Sequence, residues 1–215
     1  MTLLLHGGDG SPFVRVVRIL LSEKRLAFER NTEPAGTRDT DELAALNPTL
    51  RVPILEDGER ILFETRIIAE YLLAAYSDTP DGAPPPPLAL AMTRPSHHFE
   101  DSQAMATIQA VLDGSVVLFQ TRQGGVNAED VPYLRRTALR IQTSLDWLDA
   151  RATPSGLLPG LFSVQDMAAV CALDFLASRD IADWRHGPSG NERANLAALY
   201  QALQARPSVA ETLPQ

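Results

Sequence analysis

Ser11 and Pro12 follow a glycine-rich turn, His6-Gly7-Gly8-Asp9-Gly10, and precede a stretch in which Phe13, Val14, Val17, Ile19, Leu20 and Leu21 recur at helical spacing. Serine is a preferred N-cap and proline a preferred first helical residue, so the pair marks a helix start whatever else it does. The same geometry can do chemistry. A capping serine accepts a backbone N–H through its oxygen and keeps its own proton free to donate. A thiolate placed there gains that hydrogen bond together with the positive end of the helix dipole. A hydrogen bond to a charged group contributes about 1.5–3 kcal/mol and the dipole about 0.3–1. At about 1.36 kcal/mol per unit, a thiol of pKa about 8.5 falls by about one to three, enough to make thiolate the main species near neutrality. The nucleophile has to arrive with a ligand. The chain's one cysteine, Cys171, sits beside Met167 and Val170 in a distant apolar stretch and reads as a small core residue.

Other chemistry-bearing residues have simpler readings. His97 and His98 are adjacent, hence on different helical faces, and no acid–histidine spacing around them makes a metal site. Ser163-Val164-Gln165-Asp166 has the pattern of a capping box, whose role is folding. Trp147, Trp184, Tyr133 and Tyr200 are scattered and read as core residues.

The elements that must position Ser11 divide the chain in two. Thr2 to Leu5 reads as a buried strand, the stretch after Ser11 as a helix, Leu26 to Asn31 as a second strand and Asp39 to Leu46 as a short helix. That helix ends at Asn47-Pro48, because the residue before proline avoids the helical region. Val52–Glu56 and Arg60–Phe63 flank Asp57-Gly58-Glu59, a tight hairpin signal, and Thr65 to Tyr76 is helical again. Strand–helix–strand requires a parallel pair and the hairpin an antiparallel edge, so a mixed four-stranded sheet with packed helices is expected. Ser77 to Pro87 holds five prolines and Gly82, a composition that favours extended chain and marks a domain boundary. Beyond it no strand stands out. Met105, Ile108, Leu112, Val116 and Phe119 step by three and four, as do Leu134, Ala138, Ile141, Leu145 and Leu148. A helix follows Ser163, and Asn195 to Ala205 forms another that stops before Pro207. The reading is an α/β domain over residues 1–77, a proline-rich linker over 78–93 and an all-helical domain over 94–215.

Bulk properties narrow the functions. The chain has 215 residues, 19 lysines and arginines against 27 acids, and a formal charge of −8. That sign argues against nucleic acid or an anionic membrane as the main partner. No uncharged apolar run approaches the roughly 18 residues of a membrane span. Met1-Thr2-Leu3-Leu4-Leu5 is too short for a signal-peptide core and lacks a basic flank. One cysteine makes neither an internal disulfide nor a redox pair. A cytoplasmic protein that needs no metal is expected.

The order of motifs resembles the glutathione S-transferase family. Ser11-Pro12-Phe13-Val14 stands where thioredoxin-like folds carry Cys-Pro-x-Cys. Leu46-Asn47-Pro48, Arg51-Val52-Pro53-Ile54-Leu55, Asp57-Gly58, Phe63-Glu64-Thr65 and Ile68-Ala69-Glu70-Tyr71-Leu72 follow in the family's order. Leu161 to Asp166 and Ala205-Arg206-Pro207-Ser208 resemble its second domain. The resemblance implies a thioredoxin-like N-terminal domain with a C-terminal helical bundle, and glutathione as co-substrate without a metal. It also implies a small hydrophobic electrophile, a homodimer and a role in detoxification, of a serine-type, bacterial-like cytosolic kind. By the same resemblance, Ser11 is the catalytic residue and Val52-Pro53 a cis peptide whose Val52 backbone pairs with the cysteinyl part of glutathione. Thr65, where the family usually has serine, with the N–H groups around it, would take the γ-glutamyl carboxylate. Glu64 would take its ammonium. Arg38 would reach the glycine carboxylate, or else be an ordinary solvated arginine. Asp101 would meet the ammonium of a partner subunit's ligand, or else be a surface aspartate. With serine at position 11 and no cysteine in the first domain, thiol–disulfide chemistry is not expected. The other reading is a non-catalytic binding or scaffold protein that kept the fold.

Overall fold

In the computed structural model the described residues are 2–76, 88–89, 95–158 and 160–213. Most of the expected linker, 78–93, lies outside them. The first part runs β1 (Leu3–His6), α1 (Pro12–Glu23), β2 (Phe28–Asn31), α2 (Thr40–Leu46), β3 (Ile54–Asp57), β4 (Arg60–Phe63) and α3 (Thr65–Ala75). The sheet order is β2-β1-β3-β4. β1 pairs parallel with β2 and antiparallel with β3, and β3 pairs antiparallel with β4 around the Asp57-Gly58 turn. This is the mixed sheet that the strand–helix–strand unit and the hairpin require.

The second part contains β5 (Leu88–Ala89), α4 (His98–Gln123), α5 (Pro132–Asp149), β6 (Phe162–Ser163), α6 (Val164–Ser178), α7 (Ala194–Gln204) and α8 (Pro207–Ala210). The chain thus has a thioredoxin-like sheet domain followed by a helical domain. Two details of the element order differ from the sequence reading. β5 and β6 form a two-residue parallel ladder, too short for strand periodicity to register. Pro207 opens α8 as its first residue as well as closing α7.

Apolar periodicity explains the packing. Leu5, Val17, Ile68 and Leu72 of the first domain join Ile108, Ile141 and Val170 of the second in one continuous core. α4 is long and apolar enough to cross a membrane by length and composition. Its Ile108, Val111 and Leu112 are nevertheless buried, and it packs on α5 and α6, so it is a core helix of the bundle. Trp184 is buried and Tyr200 half-buried as expected, but Tyr133 is 60% exposed and leaves the list of core residues.

α6 is buried along nearly its whole length, and Ser163 and Asp166 close its N-terminus in the expected capping box. Asp166 also accepts the Leu157 N–H at 2.8 Å; burial pushes its carboxyl above the ordinary range. Against α6 lies α1, and here a charge crosses the domain boundary. Arg15, 1% exposed, donates to Asp174 at 2.6 Å, to Thr212 at 3.3 Å and to the Val209 carbonyl at 3.2 Å. Asp174 also accepts from Tyr200 at 2.6 Å and Gln204 at 3.1 Å. Nearby, Arg206 donates twice to Glu23, at 3.0 and 2.7 Å.

Removing one partner of a buried pair strands the other charge. Asp174→Ala is therefore expected to cost about 3–5 kcal/mol, whereas Ser163→Ala, which removes only a cap, should cost about 1. Urea unfolding of both variants checks the ranking; equal losses would contradict the role given to Arg15.

Candidate functional site

The turn before α1 is built so that Ser11 stands at the helix mouth. Gly7 has φ 134°, and a Cβ there would lie 2.3 Å from a Val14 methyl, so only glycine fits. The Gly7 N–H donates to Asn31 at 2.8 Å, and Arg30 donates to the Gly7 carbonyl at 3.1 Å. Asp9 receives Arg18 at 2.7 Å and Arg30 at 2.6 Å, which fastens the turn to β2 and α1. Ser11 caps α1 with its oxygen 3.4 Å from the Val14 nitrogen, and Pro12 is the first helical residue. The cap is long enough for the oxygen to take part in other hydrogen bonds.

Two further elements face α1. Val52–Pro53 is a cis peptide. Asn47, 1% exposed, organises the loop leading to it, donating to the Arg51 carbonyl at 2.8 Å and accepting from the Thr49 N–H and hydroxyl at 2.9 Å each. At the start of α3, Glu64 has φ 70° and ψ 124°, a conformation that costs an L residue of order 1–3 kcal/mol. Thr65 follows, 6% exposed. α3 is tied back to the hairpin by Tyr71 and Tyr76, which donate to one Asp57 oxygen at 2.5 and 2.6 Å. Those hydrogen bonds hold the Asp57 carboxyl below its ordinary range. Burial and the same carboxylate push Tyr76 up to about 12.

Between these elements and α4 lies a cavity of about 330 Å³. Val52, Pro53, Glu64 and Thr65, expected together from sequence, all line it. Phe13, two residues beyond Ser11, is in the lining; Ser11 itself is not. Arg38 and Asp101 are elsewhere. Arg38 lies 3.0 Å from His6 Nδ1, and His6 Nε2 lies 2.5 Å from Glu56. Because guanidinium only donates, this geometry fits a His6 that accepts at Nδ1 and donates from Nε2. Asp101, 4% exposed, is not a surface aspartate; its carbonyl accepts from Gln165 at 3.4 Å.

Sequence reasoning missed Asn47, Arg51, Arg66, Gln109 and Asp113, all in the lining. Gln109 and Asp113 had a legible signal: two polar residues four apart in the mostly apolar middle of α4, hydrogen bonded at 3.2 Å. Charges of both sign thus line the cavity, with Arg51 and Arg66 against Glu64 and Asp113. A flexible ligand carrying carboxylates and an ammonium suits such a wall. No group of three metal-ligating side chains occurs among the described residues. Cys171 is buried, and burial pushes its thiol up to about 12, so it stays protonated.

Three comparisons bear on this site. A family model described as the glutathione S-transferase N-terminal domain matches residues 5–80. The uncharacterized GST-like protein YibF of Escherichia coli (strain K12) is 32% identical over 98% of this chain and 98% of its own length. A solved structure of a glutathione S-transferase from Methylobacterium radiotolerans, in complex with glutathione sulfonate, is 26% identical with a TM-score of 0.79, covering 100% of this chain and 95% of that one.

The backbone at Glu64 yields a direct test. Glu64→Gly is expected to stabilise the fold by about 1 kcal/mol, the relieved strain exceeding the entropy cost of glycine. Thermal unfolding measures it, and a destabilised variant would mean that the conformation carries no strain. Acidification gives a second. Asp57, depressed in the folded state, contributes stability above the ordinary carboxylate range that is lost as pH falls through its lowered pKa. Tyr71→Phe with Tyr76→Phe should remove that part of the acid dependence, read from melting temperature against pH.

Proposed function

The chain belongs to the glutathione S-transferase family, and we propose that it binds glutathione along the cavity between the two domains and ionises its thiol at Ser11. The observation that carries this reading is the convergence of Val52, Pro53, Glu64 and Thr65, from two separate segments, on one cavity that is also lined by Phe13 of the helix that Ser11 caps.

Each group then has a task that its chemistry suits. The Val52 backbone pairs with the cysteinyl part of the tripeptide as an added strand would. The Thr65 hydroxyl and the free N–H groups of the first turn of α3 take the γ-glutamyl carboxylate, where the helix dipole adds to the attraction. Glu64 takes the ammonium. Arg51, which lines the cavity, is better placed than Arg38 for the glycine carboxylate. Ser11 donates its proton to the sulfur. The thiol proton leaves to solvent, the thiolate forms a bond to the electrophilic carbon, and the leaving group departs with the electron pair of the broken bond. Lowering the thiol pKa and holding the two reactants together suffice for a substrate with a good leaving group. We place this activity in the cytoplasm, where reduced glutathione supplies the nucleophile. A homodimer in which Asp101 meets the partner's ligand would first have to uncover that carboxylate, since it is 4% exposed in the protomer.

Ser11→Ala separates catalysis from capping. Turnover with a broad electrophile should fall about 10- to 100-fold, the equivalent of a charged hydrogen bond, while stability falls by about 1 kcal/mol. Glutathione affinity by calorimetry should change little. Turnover that survives the substitution would remove Ser11 from the mechanism. Glutathione binding without conjugation of any electrophile by the unmodified protein would favour the non-catalytic reading.

A further inference from the structure

At the C-terminus of α6 a second charged group approaches the Ser11 turn. Arg179 follows the last helical residue, and its Nη2 lies 3.0 Å from where a Cβ of Gly10 would stand, one residue before Ser11. Glycine at position 10 leaves the space that the guanidinium fills. The side chain is steered there from α4, since its guanidinium carbon lies 5.4 Å from the centre of the Phe119 ring. Phe119 in turn packs edge-on against Phe175 at 5.8 Å. The backbone beneath it is fixed by Arg122, which donates to the Arg179 carbonyl and, at 2.8 Å, to the Asp180 carbonyl.

Among the described residues the charge of this arginine rests against an aromatic ring and enters no ion pair. Among the described residues no carboxylate pairs with it, and its Nε is buried without a hydrogen-bond partner. The nearest acid of the turn, Asp9, is already held by Arg18 and Arg30. Arg122 is spent on the backbone carbonyls of Arg179 and Asp180, so the acids and carbonyls around the turn leave Arg179 without an ion pair. A half-buried guanidinium that no carboxylate of the fold occupies selects carboxylates and other planar oxyanions.

We propose that Arg179 is a specificity-determining residue that favours electrophiles carrying a carboxylate or comparable oxyanion on the side of Ser11 formed by Phe119 and α6. This rests on the glutathione reading above and adds the class of acceptor to it. Arg179 forms no bond in the reaction and moves no proton; it holds the acid group so that the carbon to be attacked faces the sulfur.

Two aryl chlorides that undergo the same substitution test this. 1-Chloro-2,4-dinitrobenzene is neutral, and 4-chloro-3,5-dinitrobenzoate carries a carboxylate; in each, sulfur binds the ring carbon and chloride leaves with its electron pair. For each protein, kcat/KM is measured with both, and glutathione affinity is measured separately by calorimetry. Arg179→Gln should lower kcat/KM for the benzoate at least tenfold more than for the neutral compound, mainly through KM, with glutathione affinity unchanged. Arg179→Lys should restore part of the preference. Equal losses for both compounds, or no change for either, with glutathione still bound, would overturn the inference and leave the glutathione reading intact. An unmodified protein that does not bind glutathione would overturn that reading, and this inference with it.

Discussion

The buried pairing of Arg15 with Asp174 settles where the start of α1 stands relative to the helical domain. A guanidinium removed from water is tolerable only when its donors are filled, and these go to one carboxylate, one hydroxyl and one carbonyl, all contributed by the second domain. α1 cannot slide or rotate on α6 without stranding that charge. Its N-terminus, with Ser11, is thereby held beside the end of α6 that carries Arg179.

Around this fixed helix the site departs from low-energy local structure. Gly7 adopts a conformation other residues resist, and Glu64 adopts one without being glycine. The fold offsets such costs with polar anchoring: Asp9 gathers two arginines, Asn47 organises the loop before the cis peptide, and Asp57 draws the hydroxyls of Tyr71 in α3 and of Tyr76 just after it. Asn47 is itself part of the cavity wall, while Asp57 stands behind it and holds α3, whose start lines it. Positioning, more than an unusual functional group, is what this architecture contributes.

Much of this was legible in the residues. Ser11-Pro12, Asp57-Gly58 and Ser163-Asp166 each specify a local geometry by short-range hydrogen bonding or backbone restriction, so a cap, a hairpin and a capping box could be read directly. Apolar periodicity gave the helices because burial of one face repeats along the chain. Long-range placement was less accessible. Arg38 looked available to a ligand, yet it is engaged by His6, thirty-two positions away. Asp101 looked like a surface acid because helix spacing does not say which face another helix covers. Tyr133 looked like core for the converse reason. The approach of Arg179 to Gly10 joins distant segments through a missing side chain, and a glycine in a glycine-rich turn gives no hint of what occupies the space.

The mechanism requires that the hydroxyl at the mouth of α1 steady an ionised sulfur. The direct measurement is the ultraviolet absorbance of thiolate for glutathione bound to the protein, titrated against pH and compared with the free tripeptide and with the complex of the Ser11→Ala variant. The bound thiol is expected to have a midpoint about one to three units below that of free glutathione, returning most of the way when Ser11 is replaced. A bound thiol that titrates like the free tripeptide, or one equally displaced without the hydroxyl, would contradict it.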